Sequence, residues 1–266
     1  MHNRLPWWSG ALALMAAIAL TTVADGKPWP IPPDFHDAHW RPDQCEAPRF
    51  DHAVVEFQNT WSNLAYLAVG LLILYRRPGL LGAMAGVNLC IVSLFSGWYH
   101  ASLQPLAQAY DVGWIYAVIL SMCAYGVRRR VSRSATVALA ILPAAIGLTV
   151  SFLKANGAWR ADSTKLTLGL LAVLAVIVGR TLLDFDPKPR ALFACAIAMP
   201  ALLSAVFRFG DGRGHFLCDP TAALQAHALW HLFGALALAM TYNVLALAGD
   251  PCEAILPAHS AHPPTE

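Results

Sequence analysis

The chain has 266 residues, of which 57% are hydrophobic and only 13% charged, with a mean hydropathy of +0.50. Soluble domains carry roughly a quarter charged residues, so this composition excludes an ordinary soluble protein and describes an integral membrane one. The net charge of +2, with no basic stripe interleaved with aromatics, excludes a nucleic-acid partner, and nothing in the chain implies a protein partner.

Residues 1–26 open with His2 and Arg4 and run on through an Ala-rich apolar stretch from Trp7 to Ala24. The stretch is near the minimum spanning length and ends in small residues before Asp25, so it reads equally as an extra N-terminal helix or a cleaved signal peptide. Residues 27–57 hold Pro28, Pro30, Pro32, Pro33, Pro42 and Pro48, which rule out a continuous helix. This connection also carries Asp43, Glu46 and Glu56 as oxygen ligands. Residues 58–248 contain seven apolar segments, near 59–75, 79–102, 110–127, 134–153, 165–183, 190–208 and 222–248, each long enough to span a bilayer. Residues 249–266 form a Pro-containing tail. The expected fold is all-α, a multi-pass bundle of seven transmembrane helices.

Charge orients the segments. The connections after the first, third and fifth carry Arg76, Arg77, Arg128, Arg129, Arg130, Arg133, Arg180, Lys188 and Arg190. Those after the second, fourth and sixth carry fewer cations, and the second-to-third connection has none. The positive-inside rule then puts the odd connections and the C-terminus in the cytoplasm and the 27–57 connection outside.

This orientation brings three histidines to one membrane level. His227 and His231 lie four apart at the start of the last segment, on one helical face, where both imidazoles reach a single metal. His100 ends the second segment on the same side. Polar groups at membrane depth are costly and usually functional, and three histidines with an open fourth position make a catalytic zinc set. Zinc bound there would polarise a carbonyl and lower the pKa of water. Asp111, at the outer start of the third segment, is placed to act as general base. Ser96, one turn before His100, is placed to donate to a developing oxyanion. Each residue also has a plainer role: Asp111 as an N-cap, Ser96 as a small interhelical residue, the histidines as buried, satisfied side chains or haem ligands.

No CxxC occurs among the six cysteines, which argues against a zinc ribbon. Cys90, Cys123 and Cys195 fall inside apolar segments and read as small hydrophobes. Cys45 and Cys218 fall in outward connections, an oxidising side where a disulfide forms; the alternative is two unpaired thiols.

At these residues the chain resembles the alkaline ceramidase family, within the wider superfamily of adiponectin-receptor-like and GPI-remodelling membrane hydrolases. Asp43-Gln44-Cys45-Glu46 is similar to the family's acidic Asp-Trp-Cys-Glu start. Glu56-Phe57-Gln58-Asn59-Thr60-Trp61-Ser62-Asn63-Leu64 resembles its entry to the first core helix. Ser96 to His100 matches Ser-x-x-x-His, Asp111 follows at the family's spacing, and His227-Ala228-Leu229-Trp230-His231 resembles His-Ala-Trp-Trp-His. The resemblance implies an outward-facing, zinc-dependent hydrolase that cuts the amide of ceramide or a related N-acyl lipid. It implies His100, His227 and His231 as ligands, with Asp111 and Ser96 catalytic. It also implies calcium at Asp43, the Gln44 carbonyl, Glu46 and Glu56, with Pro48 standing where the family has asparagine. Two other readings stay open: a receptor-like or structural bundle with a non-catalytic metal, and an ester-cleaving lipase.

Overall fold

The computed structural model describes residues 44–76, 78–212, 214–249 and 254–255. The apolar run within 1–26, Asp43 and nearly all of the 249–266 tail lie outside the described residues.

Among the described residues the structure is helical, without strands. The helices are α1 (Phe57–Ser62), α2 (Leu64–Tyr75), α3 (Leu80–Ser102), α4 (Pro105–Val127), α5 (Arg133–Ala155), α6 (Ser163–Leu182), α7 (Pro187–Gly210) and α8 (Ala226–Gly249). A 3-10 turn, Arg128–Arg130, follows α4. Six helices, α3 to α8, are long and apolar enough to cross a membrane.

The first apolar segment differs from its sequence expectation. It divides at Asn63 into α1 and the 12-residue α2. Alone, α2 reaches only about 18 Å at 1.5 Å per residue, against about 30 Å of hydrocarbon. The cause is the polar run Gln58-Asn59-Thr60-Trp61-Ser62-Asn63. Its side chains bond backbone carbonyls: Asn63 Nδ2 donates to Asn59 O at 2.8 Å, Ser62 Oγ to Asn59 O at 2.9 Å and Thr60 Oγ1 to Glu56 O at 2.6 Å. Such bonds compete with a regular helical ladder.

The third segment also differs, because its helix starts at Pro105 rather than near residue 110. Proline suits the first helical position, where its missing N–H is not needed, and it keeps the preceding Gln104 extended. Asp111 therefore lies almost two turns inside α4, and the N-cap reading of this residue is excluded. The last segment starts at Ala226 rather than 222. The preceding loop is instead stitched to α1: Gln58 Nε2 donates to Ala222 O at 3.0 Å, and Gln225 N to Gln58 Oε1 at 2.8 Å.

Between α3 and α4 the chain turns within Leu103 and Gln104. Leu103 is fully buried and holds a left-handed φ of 51°, unusual for a residue with a branched side chain. Its N–H caps α3 by donating to Tyr99 O. The sharp turn brings the end of α3, with His100, beside the first turns of α4. Phe95 of α3 then stacks on Tyr110 and Trp114 of α4, with ring centroids 4.9 and 6.0 Å apart. This sets the register of the two helices and puts Ser96 opposite Asp111. On its other side α4 approaches α5 closely. A Cβ at Gly113 would meet Gly147 O and Ser151 Oγ of α5, so the crossing depends on small residues there, as membrane bundles favour.

Helices α3, α4 and α8 form the interior. Helices α5 to α7 turn large apolar side chains outward, among them Ile141, Phe152, Val176, Leu192, Met199 and Leu202. In water such a face would be a liability; against lipid it is the expected surface. Arg128 and Arg129 lie at the far end of α8 from its histidines. Arg128 donates to Leu245 O at 2.9 Å and to Tyr125 O at 2.8 Å, and Arg76 donates to Ile255 O at 2.6 Å. These guanidinium groups tie the end of α4 to α8, and the end of α2 to the segment at Ile255, through backbone carbonyls.

Candidate metal centre and active site

His100 comes from the last turn of α3, and His227 and His231 from the first two turns of α8. The packing brings one ligand nitrogen from each to within 4.8 Å of the others. All three side chains are 1–2% exposed, and the ring centroids are 4.7 to 5.1 Å apart. Among the described residues, this is the group of His, Cys, Asp or Glu side chains close enough to hold a metal ion.

Each imidazole meets a different outer partner at Nδ1. For His100 it is Glu56 Oε2 at 2.6 Å, and for His231 it is Ser62 Oγ at 2.7 Å. Asp211 Oδ2 lies 3.1 Å from Nδ1 of His227. Hydrogen bonds at Nδ1 leave Nε2 free for a metal on His100 and His231, and Nε2 of His231 is buried without a hydrogen-bond partner. Three buried imidazoles packed against one another, with a nitrogen of His227 and one of His231 lacking a hydrogen bond, are expensive unless something binds them. A zinc ion suits them, since histidine ligands typically hold their other ring nitrogen to a carboxylate or hydroxyl.

Asp111 and Ser96 both belong to this site. They are 8% and 4% exposed, and their side chains share a hydrogen bond across α3 and α4. Asp111 Oδ1 is buried with no partner. Asp111 also lies within electrostatic reach of the cations Lys154 and Arg208. Arg208 of α7 lies over the ring of Trp230, 5.6 Å from its centroid, and Trp230 in turn packs on His227 and His231.

The acidic stretch is partly drawn into this centre. Glu56 is fully buried and spends Oε2 on His100 and on Asn59 Nδ2, at 3.1 Å. Its backbone N–H donates to His100 O at 3.0 Å. Glu46 accepts the N–H groups of Gln58 and Asn59, both at 2.9 Å, and so caps the positive end of α1. Burial pushes the Glu46 carboxyl up, while those two N–H groups pull it down. Asp43 lies outside the described residues. Gln44 Oε1 and Glu56 Oε1 are buried without hydrogen-bond partners.

Cys45 and Cys218 are joined by a disulfide that spans 173 residues of sequence. The bond ties the 44–56 strap to the loop between α7 and α8, over the histidine cluster. Alkylation of denatured, non-reduced protein should leave both cysteines unmodified, and labelling of both would refute the bond. Cys90 and Cys123 are free and half-buried in the helices; burial suits small hydrophobes that pack without reacting.

Two outer partners were not marked by any sequence pattern: Ser62 sits inside a matched motif without an assigned role, and Asp211 is a lone acid in a loop. Helices of membrane-spanning length thus enclose a histidine triad that could hold a metal, with a Ser–Asp pair beside it. The family model described as Ceramidase matches residues 42–210, more than half of the chain, and the chain belongs to this family. The match includes Glu56, Ser96, His100 and Asp111 and stops before α8. No curated protein and no solved structure matches the chain. Family membership and the six apolar helices together support a ceramide-hydrolysing membrane enzyme.

Proposed function

We propose that the protein is a zinc-dependent hydrolase that cleaves the amide bond of ceramide or a related N-acyl lipid inside a seven-span bundle. The observation that carries this reading is the Ser96–Asp111 pair set beside three histidines with converging nitrogens. A purely structural zinc would close its fourth position with another ligand and would need neither base nor hydroxyl.

His100, His227 and His231 would hold the zinc, which when bound supplies Lewis-acid polarisation of the amide carbonyl and a nucleophile at neutral pH. Asp111 Oδ1 takes the proton of the attacking water and returns it to the leaving nitrogen, so that amide and water become fatty acid and amine. Ser96, whose one hydroxyl hydrogen rests on the Asp111 carboxylate, turns it to the oxygen that gains negative charge as Asp111 takes up the proton of water. The buried walls of α3, α4 and α8 exclude bulk water, and the acyl chains lie between helices. The seventh span is the 57–75 run. Asn63 keeps helical angles, φ −64° and ψ −18°, so α1 and α2 continue one another for about 28 Å. The arginine-bearing end of the bundle faces the cytoplasm and the histidine end faces outward.

The test is to incubate purified protein with N-acyl lipids and ester lipids, with and without chelator, and to identify products by mass spectrometry. Chelator-sensitive release of fatty acid from amides supports the reading. Cleavage of esters alone would redirect it to a lipase, and no cleavage at all to a non-catalytic bundle.

Calcium belongs to the same proposal. The unpartnered Gln44 Oε1 and Glu56 Oε1 are hard oxygen donors of the kind that cation takes. Bound calcium would fasten the strap that carries Cys45 and the entry to α1. The melting temperature of wild type should rise with calcium by mass action, with magnesium a poor substitute, and Glu56→Gln should lose that response. Flat titrations in both proteins would remove calcium from the proposal.

A further inference from the structure

We infer that Asp211 is a positioning residue for the metal centre: its carboxylate holds His227 in the orientation and tautomer that present Nε2 inward. The inference rests on the zinc reading above and adds a residue to it.

Asp211 is the first residue after α7, and its side chain is fully buried. Its Oδ2 lies 3.1 Å from Nδ1 of His227, with 1% and 2% of the two side chains exposed. Neither Nδ1 of His227 nor either carboxylate oxygen of Asp211 has a well-aligned hydrogen bond. A carboxylate taken out of water is costly unless something charged or hydrogen-bonding compensates it. The N–H of His227 and the positive charge of a metal behind it provide both. The neighbouring ligands follow the same pattern, with Glu56 on His100 and Ser62 on His231. Two of the three outer partners are thus buried acids, which together match the charge of a divalent ion that three neutral imidazoles leave uncompensated.

The fold keeps Asp211 in place from both sides. The backbone N–H groups of Cys45 and His227 face its carboxylate. Cys45 is held by the disulfide to Cys218, and Leu217 N donates to Gly210 O at 3.2 Å, closing the loop that starts at Asp211. The disulfide therefore stabilises the support of His227 as well as the strap.

The experiment compares wild type, Asp211→Ala and Asp211→Asn. Zinc affinity is measured by competition with a chromophoric chelator, and melting temperature is recorded with saturating zinc and with chelator. Loss of an outer carboxylate typically costs 10 to 100-fold in metal affinity. Asp211→Ala should show about that loss, and Asp211→Asn, which keeps an accepting oxygen but no charge, a smaller one. With chelator present, the variants should fall much less below wild type than they do with zinc, because the metal-free protein loses a buried charge together with the acceptor of two backbone N–H groups. Wild-type zinc affinity in Asp211→Ala, or an equal drop in melting temperature with and without zinc, would overturn the positioning role alone. Failure of wild type itself to bind zinc would overturn it together with the zinc reading.

Discussion

Asp111→Asn should bind zinc as wild type does and lose most of its turnover, on the order of 10² to 10⁴ in kcat. The amide keeps the shape of the carboxylate and its place inside α4 but cannot accept a proton. Asp111 is not needed to start the helix, since Pro105 does that. Nor is it a metal ligand, since the grouped ligand atoms are those of the three histidines. The loss should therefore appear in rate, with metal content and melting temperature nearly unchanged. Ser96→Ala should cost about 10² to 10³ in rate, the value typical of one lost oxyanion donor. Metal analysis and single-turnover kinetics on the two variants check this. Wild-type rates in Asp111→Asn would return Asp111 to a structural role within the α3–α4 interface.

The second large effect is expected from the ligands. The His100→Ala, His227→Ala double substitution removes one imidazole from α3 and one from α8, so no tridentate set remains. Zinc per chain should fall from one to near zero and activity to background. The two buried partners Glu56 and Asp211 then face cavities, each with a carboxylate that has lost its neutral imidazole partner, at a cost of about 1 to 3 kcal/mol for each group left unsatisfied. The variant should accordingly melt well below wild type, and added zinc should not restore it. Metal analysis by mass spectrometry and a thermal scan with and without zinc read both quantities. Zinc retained at one per chain would place the metal elsewhere and dissolve the proposed mechanism.

Sequence and tertiary structure contributed unequally to this picture. The apolar segments were visible as runs, because a spanning helix must be apolar along its whole length. All seven expected segments start within five residues of a helix, and those of α3, α5, α6 and α7 within three. The His227–His231 pair was visible because a spacing of four is one helical turn. The meeting of that pair with His100 followed from counting spans and weighing the arginines of the connections. Boundaries failed where one residue outweighs the average: Pro105 started α4 early, and the polar run before Leu64 divided the first segment.

What the sequence could not express was the second bond of each imidazole. Ser62 and His231 are 169 residues apart, Glu56 and His100 are 44 apart, and Asp211 reaches His227 from a loop with no periodicity. Periodic patterns report which face of a helix is buried, a local property. They carry nothing about which side chain of another element arrives within 3 Å of a ring nitrogen. That was decided by how α3, α4 and α8 pack, by Phe95 stacking between Tyr110 and Trp114, and by a disulfide that draws the N-terminal strap over the site. Apolar runs and a four-residue spacing suffice for the membrane class, the helices and the identity of the histidine cluster. How each ligand is held depends on the folded bundle, because the partners are brought together by packing across it rather than by spacing along the chain.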